Sequence, residues 1–209
     1  MDGSRGLYAI VDPDGCAGRT PEEVADAILA GGCGVLQLRV ERPISDRELV
    51  ALGRRLRDRC RRAGVPFVVN DRADVARVLG ADGLHLGQDD LTVGDARRVV
   101  GSLPIGVSTH GQTQALAAAE GGANLIGFGP VFQTSSKARP DPTVGLDGLR
   151  SICARVSVPV VAIGGLTIER APEARAAGAA LVAAISAICA APDPTSAARA
   201  MHRAAGGTP

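Results

Sequence analysis

PFVVNDRADVARVLGADGLHLGQDDL, residues 66–91, contains two short apolar runs separated by a helical pattern. The first run, Pro66 with Phe67, Val68 and Val69, stops at Asn70 and Asp71; the second, Gly83 with Leu84, His85 and Leu86, stops at Gly87, Gln88, Asp89 and Asp90. Strand, helix and strand in that order form a βαβ unit, whose two strands run parallel and finish at the same edge of the sheet. Asp71 and Asp90 are thereby predicted to be neighbours. Two carboxylates at that edge can hold magnesium through one or two oxygens and leave positions for water and a substrate phosphate. Helix capping is the competing assignment, because Asp is a favoured N-cap and each of the two precedes a helical pattern. Recurrence at corresponding strand ends, each time beside an amide side chain, favours the metal and phosphate site.

The same switch of period repeats outward from this unit. Strand-like apolar runs are read at 7–11, 34–38, 66–69, 83–86, 104–107, 125–128, 158–163 and 180–185. Helical patterns open at Thr20 with Pro21 and Glu23, and at Ser45, whose Glu48 completes a capping box before an arginine-rich run to residue 63. Others are read at 72–79, after Thr92, and at 112–120, 146–155, 168–177 and 193–205. Strands that read as continuous apolar runs are buried on both faces, which favours a parallel sheet. Eight βα units are the number that closes a barrel. The expected fold is α/β, a single-domain (β/α)8 TIM barrel over residues 1–209, with an open doubly wound sheet as the alternative.

The chain has 209 residues, enough for one sizeable core, and a formal charge of +1, which points to neither nucleic acid nor an anionic membrane as a partner. No apolar run is long enough to span a bilayer, and MDGSRGLYAIVDPDG lacks the apolar centre of a signal peptide, so a cytoplasmic protein is expected. Cys16, Cys33, Cys60, Cys153 and Cys189 are scattered, odd in number and form no CxxC pair; free thiols are expected. Lys137 is the only lysine among 23 Lys and Arg residues and stands in a glycine- and hydroxyl-rich loop, where a compact ammonium suits a phosphate.

In a barrel the chemistry sits just after the strands. The candidates there are Gln37 and Arg39, Asn70 and Asp71, Gln88 and Asp90, Ser108 and His110, Thr134 to Lys137, Gly164 and Gly165, and Ile185 and Ser186. The last two pairs follow the seventh and eighth strands, where barrels frequently hold phosphate on backbone N–H groups. Asp71, Asp90, Arg39 and Lys137 imply a second, metal-bound anionic group. Two anion sites in one mouth imply two phosphorylated substrates, or one with phosphate at both ends. The plainer assignments are that the glycines only turn the chain and that Ser186 caps a helix. His85 reads as a hydrogen-bonded core histidine, His202 as a solvated residue of the last helix, and His110 as a mouth residue without an assigned role.

LYAIVDPD, GVLQLR, VVNDRADVARVLGADGLHLGQDDL, IGVSTH, LIGFGPVFQTSSK, VPVVAIGGLT and LVAAISAI follow one another through nearly the whole chain. In their order and spacing the chain resembles the thiamine phosphate synthases, within the superfamily that also holds the thiazole tautomerases. The resemblance implies a (β/α) barrel and the joining of a pyrimidine bearing a diphosphate to a (carboxy)thiazole phosphate, giving thiamine phosphate and pyrophosphate. By position, it implies Asp71 and Asp90 as magnesium ligands. It implies Gln37, Arg39, Asn70 and Ser108 as pyrimidine-diphosphate contacts and Lys137 as the cation on the leaving diphosphate. Thr134, Ser135 and Ser136 correspond to the loop over the thiazole, and Gly165, Ile185 and Ser186 to its phosphate cradle. No general base is implied. The number of copies in the assembly is not legible, a homo-oligomer included.

The family's Gln-Leu-Arg-Glu-Lys reads here Gln37-Leu38-Arg39-Val40-Glu41-Arg42, which aligns Glu41 with a diphosphate-binding lysine. A carboxylate there would repel the diphosphate, whereas a bulge at Val40 would bring Arg42 into the lysine's place with different geometry. A thiazole tautomerase is the nearest alternative, but such enzymes are expected to carry histidine where GFGPVF has Pro130. A non-catalytic barrel binding thiamine precursors, its diphosphate site spoiled by Glu41, is the second. The long polar loop 129–144 is expected to act as a lid.

Overall fold

The computed structural model describes residues 5–134 and 141–208. Eight parallel strands close on themselves in chain order, β1 pairing with both β2 and β8. They are β1 (Gly6–Val11), β2 (Val35–Leu38), β3 (Phe67–Asn70) and β4 (Gly83–Leu86), then β5 (Ile105–Thr109), β6 (Leu125–Phe128), β7 (Val160–Ala162) and β8 (Leu181–Ala184). The helices around them are α1 (Pro21–Gly31), α2 (Asp46–Ala63), α3 (Ala73–Leu79), α4 (Val93–Val100) and α5 (Gln112–Glu120). The circuit ends with α6 (Gly145–Cys153), α7 (Ala171–Ala176), α8 (Ser186–Cys189) and α9 (Pro194–Ala204). This is the expected single-domain (β/α)8 barrel. A 3₁₀ turn at Pro13–Gly15 and the short α8 were not expected, and β7 is three residues where six were read.

Local signals account for several boundaries. Thr20 and Ser45 each close a capping box, with Glu23 and Glu48, at the starts of α1 and α2; each cap of this kind contributes about 1 kcal/mol. Neither Asp71 nor Asp90 caps a helix. Arg72 stands at the N-cap of α3 without a side-chain bond, and Thr92 caps α4 by accepting from the Asp95 N–H. The capping assignment for the two aspartates is therefore removed on geometric grounds.

The strands have two buried faces. Leu7, Ala9, Leu36, Leu38 and Val69 pack outward against the helices. Tyr8, Val35, Val68, Leu125, Val161 and Leu181 form a separate cluster in the barrel interior. Each fully buried aliphatic side chain there contributes roughly 1.5–3 kcal/mol. This plug fills the barrel, leaving the C-terminal strand ends as the place for a ligand. Gly106 belongs to the same interior: a Cβ on it would lie 2.6 Å from His85 Nδ1, so the glycine makes room for an imidazole inside the barrel.

His202 is a correction. It is buried, its Nδ1 accepts from the Leu7 N–H at 3.2 Å, and its Nε2 lies 3.0 Å from the Thr208 carbonyl. Barrel closure packs α9 against β1, so a helix that reads as charged presents this residue to the seam. All five cysteines are free. Burial pushes the thiols up, to about 11 for Cys16 and Cys153 and about 12 for Cys33, Cys60 and Cys189, so the ordinary thiol is the form present at neutral pH. No helix among the described residues is long and apolar enough to cross a membrane.

Candidate active site

A cavity of about 490 Å³ opens at the C-terminal ends of the strands. Its wall includes Gln37, Arg39, Asn70, Ser108, Thr134, Gly165, Ile185 and Ser186, eight of the residues predicted from the sequence. A buried polar ladder orders one side. The Tyr8 hydroxyl donates to Gln37 Oε1 at 2.7 Å, and Gln37 Nε2 donates to Asn70 Oδ1 at 2.9 Å. Burial holds the Tyr8 phenol protonated far above the neutral range, so the direction of donation is set from the bottom of the ladder. With each amide oxygen already accepting, the Asn70 amide N–H groups are what remain for a neighbour, and Asn70 hydrogen-bonds the Asp71 carboxyl. On the next strands, His85 Nε2 lies 2.9 Å from Ser108 Oγ, and Gln88 Nε2 donates to the Ser108 carbonyl at 2.7 Å.

Asp71 and Asp90 meet as the βαβ reading requires, although neither forms part of the cavity wall. Asp71 adopts φ +61°, an uncommon conformation for a residue with a Cβ but one that Asp tolerates better than most. Asp90 Oδ2 accepts the Gly87 N–H at 2.6 Å, which fixes its turn. The two carboxyl groups share a hydrogen bond. Burial first, and Asp90 second, raise the Asp71 carboxyl from 3.8 to about 7, while Arg39 and Asn70 pull it down. No cluster of three or more His, Cys, Asp or Glu among the described residues is arranged to hold a metal. A pair of carboxylates that must otherwise share a proton still fits magnesium, which takes one or two protein carboxylates and completes its shell with water and substrate phosphate.

Arg39 is buried beside this pair and is bound by Asp12, 3.5 Å away, and by Glu41. The expected lysine position is thus occupied by a carboxylate that reaches back to Arg39. Arg42 is half exposed and pairs with Asp14 at 3.2 Å, outside the cavity wall.

The other side of the mouth is built from backbone. Gly164 and Gly165 have φ +82° and +68° and lie against the loop after β6. Phe132 N–H donates to the Gly164 carbonyl at 3.2 Å and Val131 N–H to the Ile163 carbonyl at 2.9 Å. A Cβ on Gly165 would stand 2.4 Å from the Gln133 carbonyl oxygen, so both the turn and the close approach require glycine. The N–H groups of Gly165 and Ser186 donate to no backbone carbonyl among the described residues. Ser186 begins α8 rather than capping it. His110 bridges inward: Nδ1 lies 2.7 Å from the Gly129 carbonyl and Nε2 lies 3.4 Å from Asp141 Oδ2. Ser135, Ser136 and Lys137, with much of the expected lid, lie outside the described residues.

Sequence reading missed Tyr8, His85, Asp141 and Arg170 as cavity residues. Register would have found two of them, because Ile10 pairs with Gln37, and His85 pairs with both Asn70 and Gly106. Alternate residues of β1 therefore share the interior face, and Tyr8 stands two positions before Ile10.

The profile of the thiamine monophosphate synthase family matches residues 7–188. The thiamine-phosphate synthase of Chloroflexus aurantiacus is 46% identical over 193 residues, covering 92% of this chain and 89% of that protein. That of Methanocella arvoryzae is 47% identical over 194 residues, covering 92% and 91%. Among solved structures, thiamine phosphate pyrophosphorylase from Pyrococcus furiosus superposes with a TM-score of 0.89 at 33% identity, covering 97% of this chain and 96% of that one. A 3-hexulose-6-phosphate synthase, at 19% identity and a TM-score of 0.70, shares the fold. By a family profile spanning most of its length and close relatives covered almost end to end, the chain belongs to the thiamine monophosphate synthases, a family of transferases.

Proposed function

We propose that this chain joins a pyrimidine carrying a methylene diphosphate to a thiazole phosphate, forming thiamine phosphate and releasing pyrophosphate. The bond between the methylene carbon and the diphosphate oxygen breaks, and its electron pair leaves with the diphosphate. The thiazole nitrogen then gives its lone pair to that carbon. Where the thiazole carries a carboxyl group, that group departs as carbon dioxide. No residue need take a proton from the nucleophile, because the attacking nitrogen carries none.

The observation that carries this reading is one cavity with two different anion-handling walls, one adjoining the uncapped Asp71–Asp90 pair and the other built on Gly164, Gly165 and Ser186. Magnesium held by Asp71 and Asp90 would supply neutralising charge to the departing diphosphate. The Tyr8–Gln37–Asn70 ladder presents fixed amide groups to the pyrimidine, and Ser108, held through His85, faces the same substrate. Arg39 serves the diphosphate while shared with Asp12 and Glu41; Arg42 joins it only by leaving Asp14. The resemblance assigns Thr134, Ser135 and Ser136 to the thiazole and Lys137 to the diphosphate, while Gly165, Ile185 and Ser186 would seat the thiazole phosphate.

The test is pyrophosphate release from the purified protein given both precursors, with and without magnesium. Magnesium-dependent release is expected. A folded protein that releases none from intact precursors sinks the proposal. The Glu41–Arg39 pair favours a second reading, a barrel that binds thiamine precursors without joining them, and absence of turnover with retained binding of both precursors would establish it.

A further inference from the structure

Among the described residues two guanidinium groups face the cavity, those of Arg39 and Arg170, and they are held in opposite ways. Arg39 is bound by two carboxylates. Arg170 has no carboxylate partner among the described residues: its Nη1 donates to the Gly165 carbonyl at 2.8 Å, and its guanidinium lies over the Phe132 ring, 4.6 Å from the centroid. Glu169, its chain neighbour, is exposed and hydrogen-bonded to Thr167, and it feels the charge of Arg170 through space without forming an ion pair with it. One of the five N–H donors of Arg170 is used by Gly165, and the ring contact leaves the in-plane donors unspent. The residue is thus a cation fixed by a carbonyl and an aromatic face, beside a loop whose Gly165 N–H donates to no backbone carbonyl among the described residues.

We propose that Arg170 is a phosphate-binding residue, a guanidinium that donates to the same phosphate that Gly165 and Ser186 receive and that makes the site select phosphorylated over unphosphorylated thiazole. This rests on the reading of that wall as the seat of the thiazole phosphate. Arginine suits the task because its planar fork matches two phosphate oxygens at once and keeps its charge at any working pH. The Phe132 stack also ties the cation to the loop that carries Thr134, so phosphate capture and placement of the thiazole loop share one side chain.

Calorimetric titration of the full chain with the thiazole phosphate and with the corresponding unphosphorylated alcohol separates the roles. Arg170→Gln is expected to weaken phosphate-ester binding by about 30-fold, the size of a lost charge-assisted contact. Binding of the alcohol should stay within about two-fold, as should KM for the pyrimidine diphosphate, and Arg170→Lys should recover part of the loss. Equal weakening for ester and alcohol would assign Arg170 a purely structural role through Phe132 and overturn the proposal. So would unchanged ester binding in a folded Arg170→Gln protein that turns over like wild type, which would leave the synthase reading intact. Wild-type protein that neither binds the ester nor releases pyrophosphate would overturn both, and thermal melting of each variant shows whether a loss is one of folding.

Discussion

The wall formed by the ends of β1 to β4 and the wall formed by the ends of β6 to β8 meet anions with opposite equipment. On the first, Asp12, Glu41, Asp71 and Asp90 surround a single buried guanidinium, that of Arg39. A diphosphate at that wall, as proposed, would meet mostly carboxylate and would need added positive charge. On the second, the described residues offer backbone N–H groups and Arg170, with one carboxylate, Asp141, turned to His110, and no carboxylate of the described residues pairs with that arginine. On the proposed reading this wall takes a phosphate without added charge. By the same reading the first wall is conditional on a metal and the second is not, which predicts different responses to chelation, pH and mutation.

Removing a carboxylate from the conditional wall should have the largest effect. Asp71→Asn keeps a residue that tolerates φ +61° but takes away an oxygen of the proposed metal site. Pyrophosphate release should fall by about 100-fold or more, with a lost or right-shifted magnesium dependence. A variant that keeps wild-type release and magnesium response would mean that the pair holds no metal. On the unconditional wall, Gly165→Ala introduces a Cβ 2.4 Å from the Gln133 carbonyl at φ +68°. KM for the thiazole phosphate should rise about 10- to 100-fold while KM for the pyrimidine diphosphate stays near wild type. Comparable rises in both would show that the walls are not independent.

Arg42→Ala sharpens the account of the first wall. Its guanidinium is half exposed and paired with Asp14, so its contribution to diphosphate binding should be small, a KM about three- to ten-fold higher for the pyrimidine substrate. No change at all would mean that the Arg42–Asp14 pair stays closed during catalysis. The smallest effect is on melting. Asp71, raised to about 7 in the fold, keeps its proton where an unfolded chain has lost it, so without metal this group's contribution to stability is fully present below about pH 4 and is lost as pH rises through 4 to 7. In chelator, the melting temperature should drop by about 2–4 °C between pH 5 and pH 8 from this group. Magnesium should restore it at pH 8 and do little at pH 5; equal stabilisation at both would detach the metal from this carboxyl pair.

Much of this fold and site is legible in the sequence. The period switches around residues 66–91 were enough to count eight units and to bring Asp71 and Asp90 together, since parallel strands joined by a helix must end on one side. Strands buried on both faces show no alternation, so Tyr8 of β1 was passed over, whereas His85 reads correctly as a hydrogen-bonded core histidine and only its place in the cavity wall escaped notice. Arg170 lies in the turn between β7 and α7, five residues beyond Gly165, and only a fold-back of that turn brings its guanidinium to the Gly165 carbonyl and the Phe132 ring. Glu41 reads as an obstacle to a diphosphate, yet whether it faces the ligand or neutralises Arg39 depends on side-chain geometry that spacing does not encode.

The bond between Leu7 N–H and His202 bears on how the molecule is made. β1 leaves the ribosome first, and β2 can pair with one of its edges soon afterwards. Its other edge waits for β8, and the helix that seals the joint, α9, follows later still. From the synthesis of β1 until that of β8 the growing chain therefore carries an open strand edge, a template for pairing with other nascent chains. Crowded translation, more than heat or denaturant acting on the finished barrel, is where this connectivity leaves the protein most exposed.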